Sequence, residues 1–238
     1  MHLNILTRTS NCPNYFFKIR SELKSCFTFF EAHYKEEFEK VTISHIISAH
    51  NEFTKDYVNT EIENNSFINS HCVHVQKRND PKHYNVYITE LVSHCRLHLP
   101  AAHIIEPIYY IVLDDDATLF HDFLSVVLTT LLSHHNLDIL IWRCKYDKEE
   151  KVIPNLNKSS IISSENPSLF TKLYGDIDSL NYCVKDSVFS TWTSTPAMDY
   201  KSLVNALRAT PPERRLFIPH VIAHINKDGP RNGNQKDK

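Results

Sequence analysis

The chain has 238 residues, 42% hydrophobic and 23% charged, with a formal net charge of −2 when histidine is neutral. That supplies the core of one large domain and excludes a disordered chain. The near-neutral balance offers no basic field for nucleic acid or an anionic membrane surface.

Fifteen histidines make the charge climb as pH falls below neutral. The six cysteines (Cys12, Cys26, Cys72, Cys95, Cys144, Cys183) are dispersed with no Cys-x-x-Cys pair. This excludes the usual zinc ribbons and dithiol motifs and fits a reducing compartment. The apolar stretch Leu3 to Leu6 is too short for a signal peptide, and no run reaches the length of a membrane span. The expected location is cytoplasmic.

Leu3 to Arg8 reads as a first strand ending in the polar pair Thr7-Arg8. Pro13 suits the first turn of a helix, and Phe16, Phe17, Ile19, Leu23, Phe27 and Phe30 carry that helix to about Ala32. Val41 to Ala49 is a second strand, ending at His50-Asn51, and the polar stretch from Asn51 to Asn65 has room for a short helix. Ser70 to Val75 is a third strand, followed by a helix over Tyr84 to Leu97 with Val86, Leu91, Val92 and Cys95 inward.

Pro107 to Leu113 is an almost wholly apolar run, the pattern of a strand buried on both faces. It leads without a spacer into Asp114-Asp115-Asp116. Three adjacent carboxylates repel one another and call for a cation to offset them. In extended backbone Asp114 and Asp116 share a face and Asp115 takes the other, so two hard oxygen donors sit together at a strand's carboxyl end. The plainer reading is a strand exit whose aspartates cap the next helix.

Phe120, Phe123, Leu124, Val127, Leu128, Leu131 and Leu132 form a clear helical stripe, and Leu137 to Trp142 is a further buried strand. The second part is less regular. Gly175-Asp176-Ile177-Asp178 precedes a strand at Leu180 to Val184; Pro196 opens a helix through Ala209; Leu216 to Asn226 is a last strand carrying His220 and His224. Alternating strands and helices predict an α/β fold with a doubly wound, mostly parallel sheet in a single domain over residues 1–226, with a polar tail at 227–238. In such sheets ligands sit beyond the strands' carboxyl ends. Three glycines in the whole chain leave no room for a dinucleotide fingerprint or a phosphate loop.

Leu-Thr-Arg-Thr-Ser after the first strand, Leu113 to Asp116, Ile141-Trp142-Arg143, Gly175 to Asp178 and Ile222-Ala223-His224-Ile225-Asn226 occur in this order. Together they resemble small GT-A glycosyltransferases of the family 2 type, over nearly the whole chain. The resemblance implies transfer of a sugar from a nucleotide-diphosphate donor, a UDP-sugar being the commonest, to the hydroxyl of a glycan or other acceptor, with inversion. It places Mn2+ or Mg2+ at the Asp-x-Asp element, with Asp116 the direct ligand and Asp114 leaning towards the ribose and the metal's waters. Thr7, Arg8 and Asp115 then line the nucleotide. His50-Asn51 stand where family members often carry an acidic residue that contacts the base, which leaves the base open.

By the same resemblance Asp199, near the start of a late helix, is the candidate catalytic base; a carboxylate stabilised by the helix dipole is the alternative. Asp176, Asp178 and Trp192 are candidates for acceptor contacts, with turn and cap chemistry the alternative for the two aspartates. His224 is a candidate third metal ligand or a hydrogen-bonded structural histidine, with His220 a weaker candidate. Trp142, within a strand, reads as core. Two other functions stay open: a nucleotidyltransferase, which also uses strand-end carboxylates and a divalent cation, and a non-catalytic carbohydrate-binding protein of the same fold.

Overall fold

The computed structural model describes residues 1–9, 12–75, 84–98, 106–146, 152–154, 179–189 and 199–225. The first half places β1 (His2–Arg8), α1 (Pro13–His33), α2 (Lys35–Phe38), β2 (Thr42–Ala49), α3 (Glu52–Asn64), β3 (Asn69–His74), α4 (Tyr84–His98) and β4 (Ile108–Asp114) in order. Then come β5 (Ala117–Leu119), α5 (Phe123–Ser133), β6 (Ile139–Tyr146), β7 (Val152–Ile153), β8 (Tyr182–Lys185), α6 (Asp186–Phe189), α7 (Asp199–Ala209) and β9 (Arg215–Ile225).

The strands form one sheet in the order β3-β2-β1-β4-β8-β6-β9-β5, with β7 paired to β6. β1 pairs in parallel with β2 and β4, and β2 with β3. β8 is antiparallel to both neighbours, β4 and β6, while β6 and β9 run parallel. This is a mixed α/β domain whose strand order reverses direction between β1 and β4. The carboxyl ends of those two strands therefore bound the crevice where such sheets take ligands.

Alternation along the strands sorts the core into two layers. Leu3 and Ile5 of β1 and Tyr109, Ile111 and Leu113 of β4 pack against α1, α3 and α5. Leu6, Tyr110 and Val112 pack on the other face against α4 and α7. α1 meets the sheet through Phe16, Ile19, Leu23, Cys26 and Phe30, each fully buried. Each such apolar side chain contributes about 1.5–3 kcal/mol relative to exposure. α4 turns Ile88, Leu91, Val92 and Cys95 inward; the side chain of Val86 lies outside the described set.

The helical stripe predicted from Phe120 starts later, at Phe123. Just before Phe120, Ala117–Leu119 form β5, which pairs antiparallel with β9, and the Phe120 amide donates to the Ile222 carbonyl at 3.1 Å. A three-residue strand is too short to show a period of its own, and its partner lies a hundred residues on. Ser179–Asn181 is a 3-10 turn, so the predicted strand at Leu180 begins at Tyr182. In β9 the register against β6 slips after Trp142↔Ile218, leaving Pro219 and His220 exposed in a bulge. Proline cannot donate to the ladder, which accounts for the break. The tail at 227–238 lies outside the described residues.

Candidate active site at the carboxyl edge of the sheet

The register puts Arg8 of β1 opposite Ser48 of β2 on one side and Asp114 of β4 on the other. Arg8 Nη2 donates to Asp114 Oδ1 at 3.2 Å, and the two side chains keep 38% and 20% of their surface open to solvent. By alternation both lie on the α4 face of the sheet. On that face Tyr87 of α4 has its pKa raised by burial, a rise that the positive Arg8 opposes.

β4 ends at Asp114, and Asp115-Asp116 form the turn into β5. The expectation that Asp116 shares a face with Asp114 assumed extended backbone, and the turn removes that assumption. Asp115 and Asp116 are both buried, at 4% and 7% exposed. Asp115 acts on Tyr57 of α3, whose hydroxyl is pushed up to about 12 by burial and then by that carboxylate. The Tyr57 hydroxyl also hydrogen-bonds the Thr54 and Thr9 side chains. Thr9 in turn donates to the Ser48 carbonyl. Tyr57 and Thr54 were not among the residues singled out from sequence. The available signal was Phe53 and Tyr57 at helical spacing, in a helix that starts where β2 ends.

Thr7 is fully buried beneath this edge, and its hydroxyl lies 2.8 Å from His45 Nε2. His45 Nδ1 faces Arg20 Nη1 at 3.0 Å. Arginine can only donate, so Nδ1 accepts and the imidazole carries its proton on Nε2. Burial, then the positive Arg20, holds His45 well below its usual pKa. Arg20 also donates to Ser70 Oγ at 3.0 Å and the Asn65 carbonyl at 2.8 Å, and stacks over Phe67 at 4.4 Å. Its pKa falls to about 10 by desolvation, which leaves it charged at neutral pH.

His50 and Asn51 follow the end of β2, both half-buried. Asn51 is the N-cap of α3, its Oδ1 accepting from the Thr54 amide at 2.7 Å. The cap thus engages the Asn51 side-chain oxygen with the first turn of α3.

His224 of β9 stands opposite Thr118 of β5. Its ring packs edge-on against Phe120, 4.7 Å between centroids, and it is a neighbour of Glu22 of α1. Glu22 accepts from the Leu119 amide at 2.8 Å, and Lys18 donates to Thr118 at 2.6 Å. Desolvation raises the Glu22 pKa. Among the described residues no group of three or more His, Cys, Asp or Glu could hold a metal ion. Asp114, Asp116 and His224 therefore do not form a ready-made three-ligand shell. The oxygen chemistry of the aspartate turn still suits a hard cation, provided that ligand and water oxygens fill most of the coordination sphere, as Mg2+ sites commonly arrange.

Asp199 is the first residue of α7, and its side chain lies outside the described set. Asp176, Asp178 and Trp192 also lie outside the described residues. Trp142 is fully buried and packs edge-on against Phe123 at 5.6 Å, a core residue. No helix among the described residues is long and apolar enough to cross a membrane.

No protein-family model matches the sequence. No curated protein matches it either. Among solved structures, the chain is similar to the mannosyltransferase PcManGT from Pyrobaculum calidifontis in complex with GDP-Man and Mn2+. The TM-score is 0.55 at 14% identity, over 97% of this chain and 58% of the other. The chain thus spans 58% of that neighbour's length. At this identity the likeness is one of fold, and the architecture is consistent with a nucleotide-sugar transferase fold.

Proposed function

We propose that this chain is a glycosyltransferase of the GT-A type, family 2-like, that moves a sugar from a nucleotide-diphosphate donor to an acceptor hydroxyl. The observation that carries the reading is the meeting of Arg8, Asp114 and the Asp115-Asp116 turn at the strand-order reversal between β1 and β4. The fold shared with a mannosyltransferase supports it.

In this reading Asp114 and Asp116 would hold Mn2+ or Mg2+ through their carboxylate oxygens. A divalent cation bound there offsets the charge of the departing nucleoside diphosphate. Arg8, partly exposed at the same edge, adds a positive group beside the phosphates. Asp199 takes the proton from the acceptor hydroxyl, whose oxygen attacks the anomeric carbon from the face opposite the leaving group. One displacement inverts that centre. Asp176, Asp178 and Trp192 hold the acceptor. The resemblance makes uracil the commonest base and His50-Asn51 leave it open; guanine is the base on the mannosyltransferase's donor.

The test is thermal unfolding of the chain against a panel of nucleoside diphosphates, with and without Mn2+. A ligand selective for the folded state raises the midpoint by mass action. A metal-dependent rise with one nucleotide, lost in Asp116→Ala, is the expected result. No rise with any nucleotide overturns the proposal.

A further inference from the structure

Two of the three exposed large hydrophobic side chains among the described residues meet on one ring. Phe53 of α3 is 61% exposed and Phe17 of α1 is 40% exposed. Phe53 lies 5.5 Å from Tyr57 and Phe17 lies 6.1 Å from it, each nearly perpendicular to the Tyr57 ring. Buried Phe16 backs the group, 5.9 Å from Tyr57. Scattered exposed apolar side chains are ordinary, whereas aromatic rings gathered in the open mark a binding surface.

The position of this platform narrows its occupant. α1 and α3 begin just beyond the carboxyl ends of β1 and β2, so the rings stand on the α1–α3 side of the same sheet edge whose α4 side carries Arg8 and Asp114. The Tyr57 hydroxyl reaches back to Thr9 at the end of β1. The exposed patch is two rings wide, far below the roughly 800 Å² per partner of a stable protein interface. A planar ring joined to a group held at the aspartate turn fits both the size and the continuity.

We infer that Phe53, Phe17 and Tyr57 form the wall on which the base of the nucleotide donor stacks. The inference rests on the donor reading above and assigns that reading a second contact region, made by helices α1 and α3. Stacking accepts any base because each has a π face. The platform therefore supplies affinity, and polar neighbours select the base.

The experiment is isothermal titration of the full chain, in Mn2+, with GDP, with UDP and with inorganic pyrophosphate. The expected result is that Phe53→Ala and Phe53→Leu each weaken the bound nucleoside diphosphate about tenfold, the worth of stacking one base on one ring. Pyrophosphate binding stays as in the unsubstituted chain, and Phe53→Trp restores nucleotide affinity. Phe53→Leu keeps apolar bulk without a π face, so its loss separates stacking from simple packing. Unchanged nucleotide affinity in Phe53→Ala combined with Phe17→Ala overturns the inference. So does an equal loss of pyrophosphate and nucleotide, or a loss confined to binding of phosphatidylcholine–phosphatidylserine vesicles. Binding of pyrophosphate without nucleotide preference overturns the stacking wall and leaves the metal–diphosphate reading standing; binding of neither overturns both.

Discussion

Arg8 and Asp114 face each other across the β1–β4 pair, with Nη2 3.2 Å from Oδ1, at the strand-order reversal. The pair joins a fixed positive charge to the first of three consecutive carboxylates. It thereby reduces the repulsion that the triplet would otherwise carry. Both side chains keep solvent access, which limits what the pair contributes to folding.

Arg8→Ala is therefore expected to change unfolding stability by less than about 1 kcal/mol. Nucleoside diphosphate affinity is expected to fall by about tenfold or more, the scale of a lost charge-assisted hydrogen bond to phosphate. Chemical unfolding and nucleotide titration of one preparation separate the two effects. A large stability loss with unchanged nucleotide affinity would make Arg8 a structural partner only.

A second expectation concerns Arg20. The residue is 1% exposed, and its guanidinium donates to His45, Ser70 and the Asn65 carbonyl. Arg20→Met keeps much of the apolar stem but leaves those acceptors without their donor. The expected cost is about 3 kcal/mol, from several polar groups left unsatisfied in the interior. A shift in the urea midpoint at unchanged slope would register it; a loss under 1 kcal/mol would mean that water takes the place of the guanidinium.

Much of this organisation was legible in sequence, and the reasons are local. The apolar run before Asp114, the stripe from Phe16 to Phe30 and the one through Leu131 carry their own periodicity, so β4, α1 and α5 could be read without a partner. The crevice followed from where strands ended in polar residues. Pairings between distant segments left no local mark: β5 exists because β9 lies beside it, and β8 sits between β4 and β6 although it comes later than both. Tyr57 escaped notice for the same reason. Its neighbours Thr9 and Asp115 lie on other strands' ends, and a helix otherwise polar hid its placement. The turn at Asp115-Asp116 also overrode the strict alternation that a strand would have imposed.

His45 sets a pH dependence of defined sign. Its folded-state pKa lies well below 6.5, because burial and Arg20 both oppose the charged form. The unfolded chain takes up a proton near pH 6.5, so it binds more protons than the folded chain below that pH. The stability associated with neutral His45 is fully present above about pH 6.5 and is lost as pH falls towards the folded pKa. His71 and His94, also lowered by desolvation and by neighbouring histidines, act in the same direction. Unfolding free energy measured from pH 7.5 to 5.5 should decline, and His45→Gln should remove up to about 1.4 kcal/mol per pH unit of that slope. A slope unchanged by the substitution would show that His45 is already charged in the folded chain.

Asp199 opens α7, whose Leu203, Val204, Ala206 and Leu207 are buried against the α4 face of the sheet. The helix is thus anchored by its later turns. If Asp199 is the general base of the proposed reaction, Asp199→Asn keeps shape and loses the proton acceptor. Transfer should then fall by about 10²- to 10⁴-fold, the usual contribution of a positioned base. Donor affinity should stay nearly unchanged, because in the proposed reaction Asp199 meets the acceptor hydroxyl and not the metal or the diphosphate. The measurement is product formation at saturating donor and acceptor, beside nucleotide titration of the same variant. A helix-dipole carboxylate makes a different pattern: a stability loss of about 0.3–1 kcal/mol with transfer rate preserved, and that outcome would move the base to another residue.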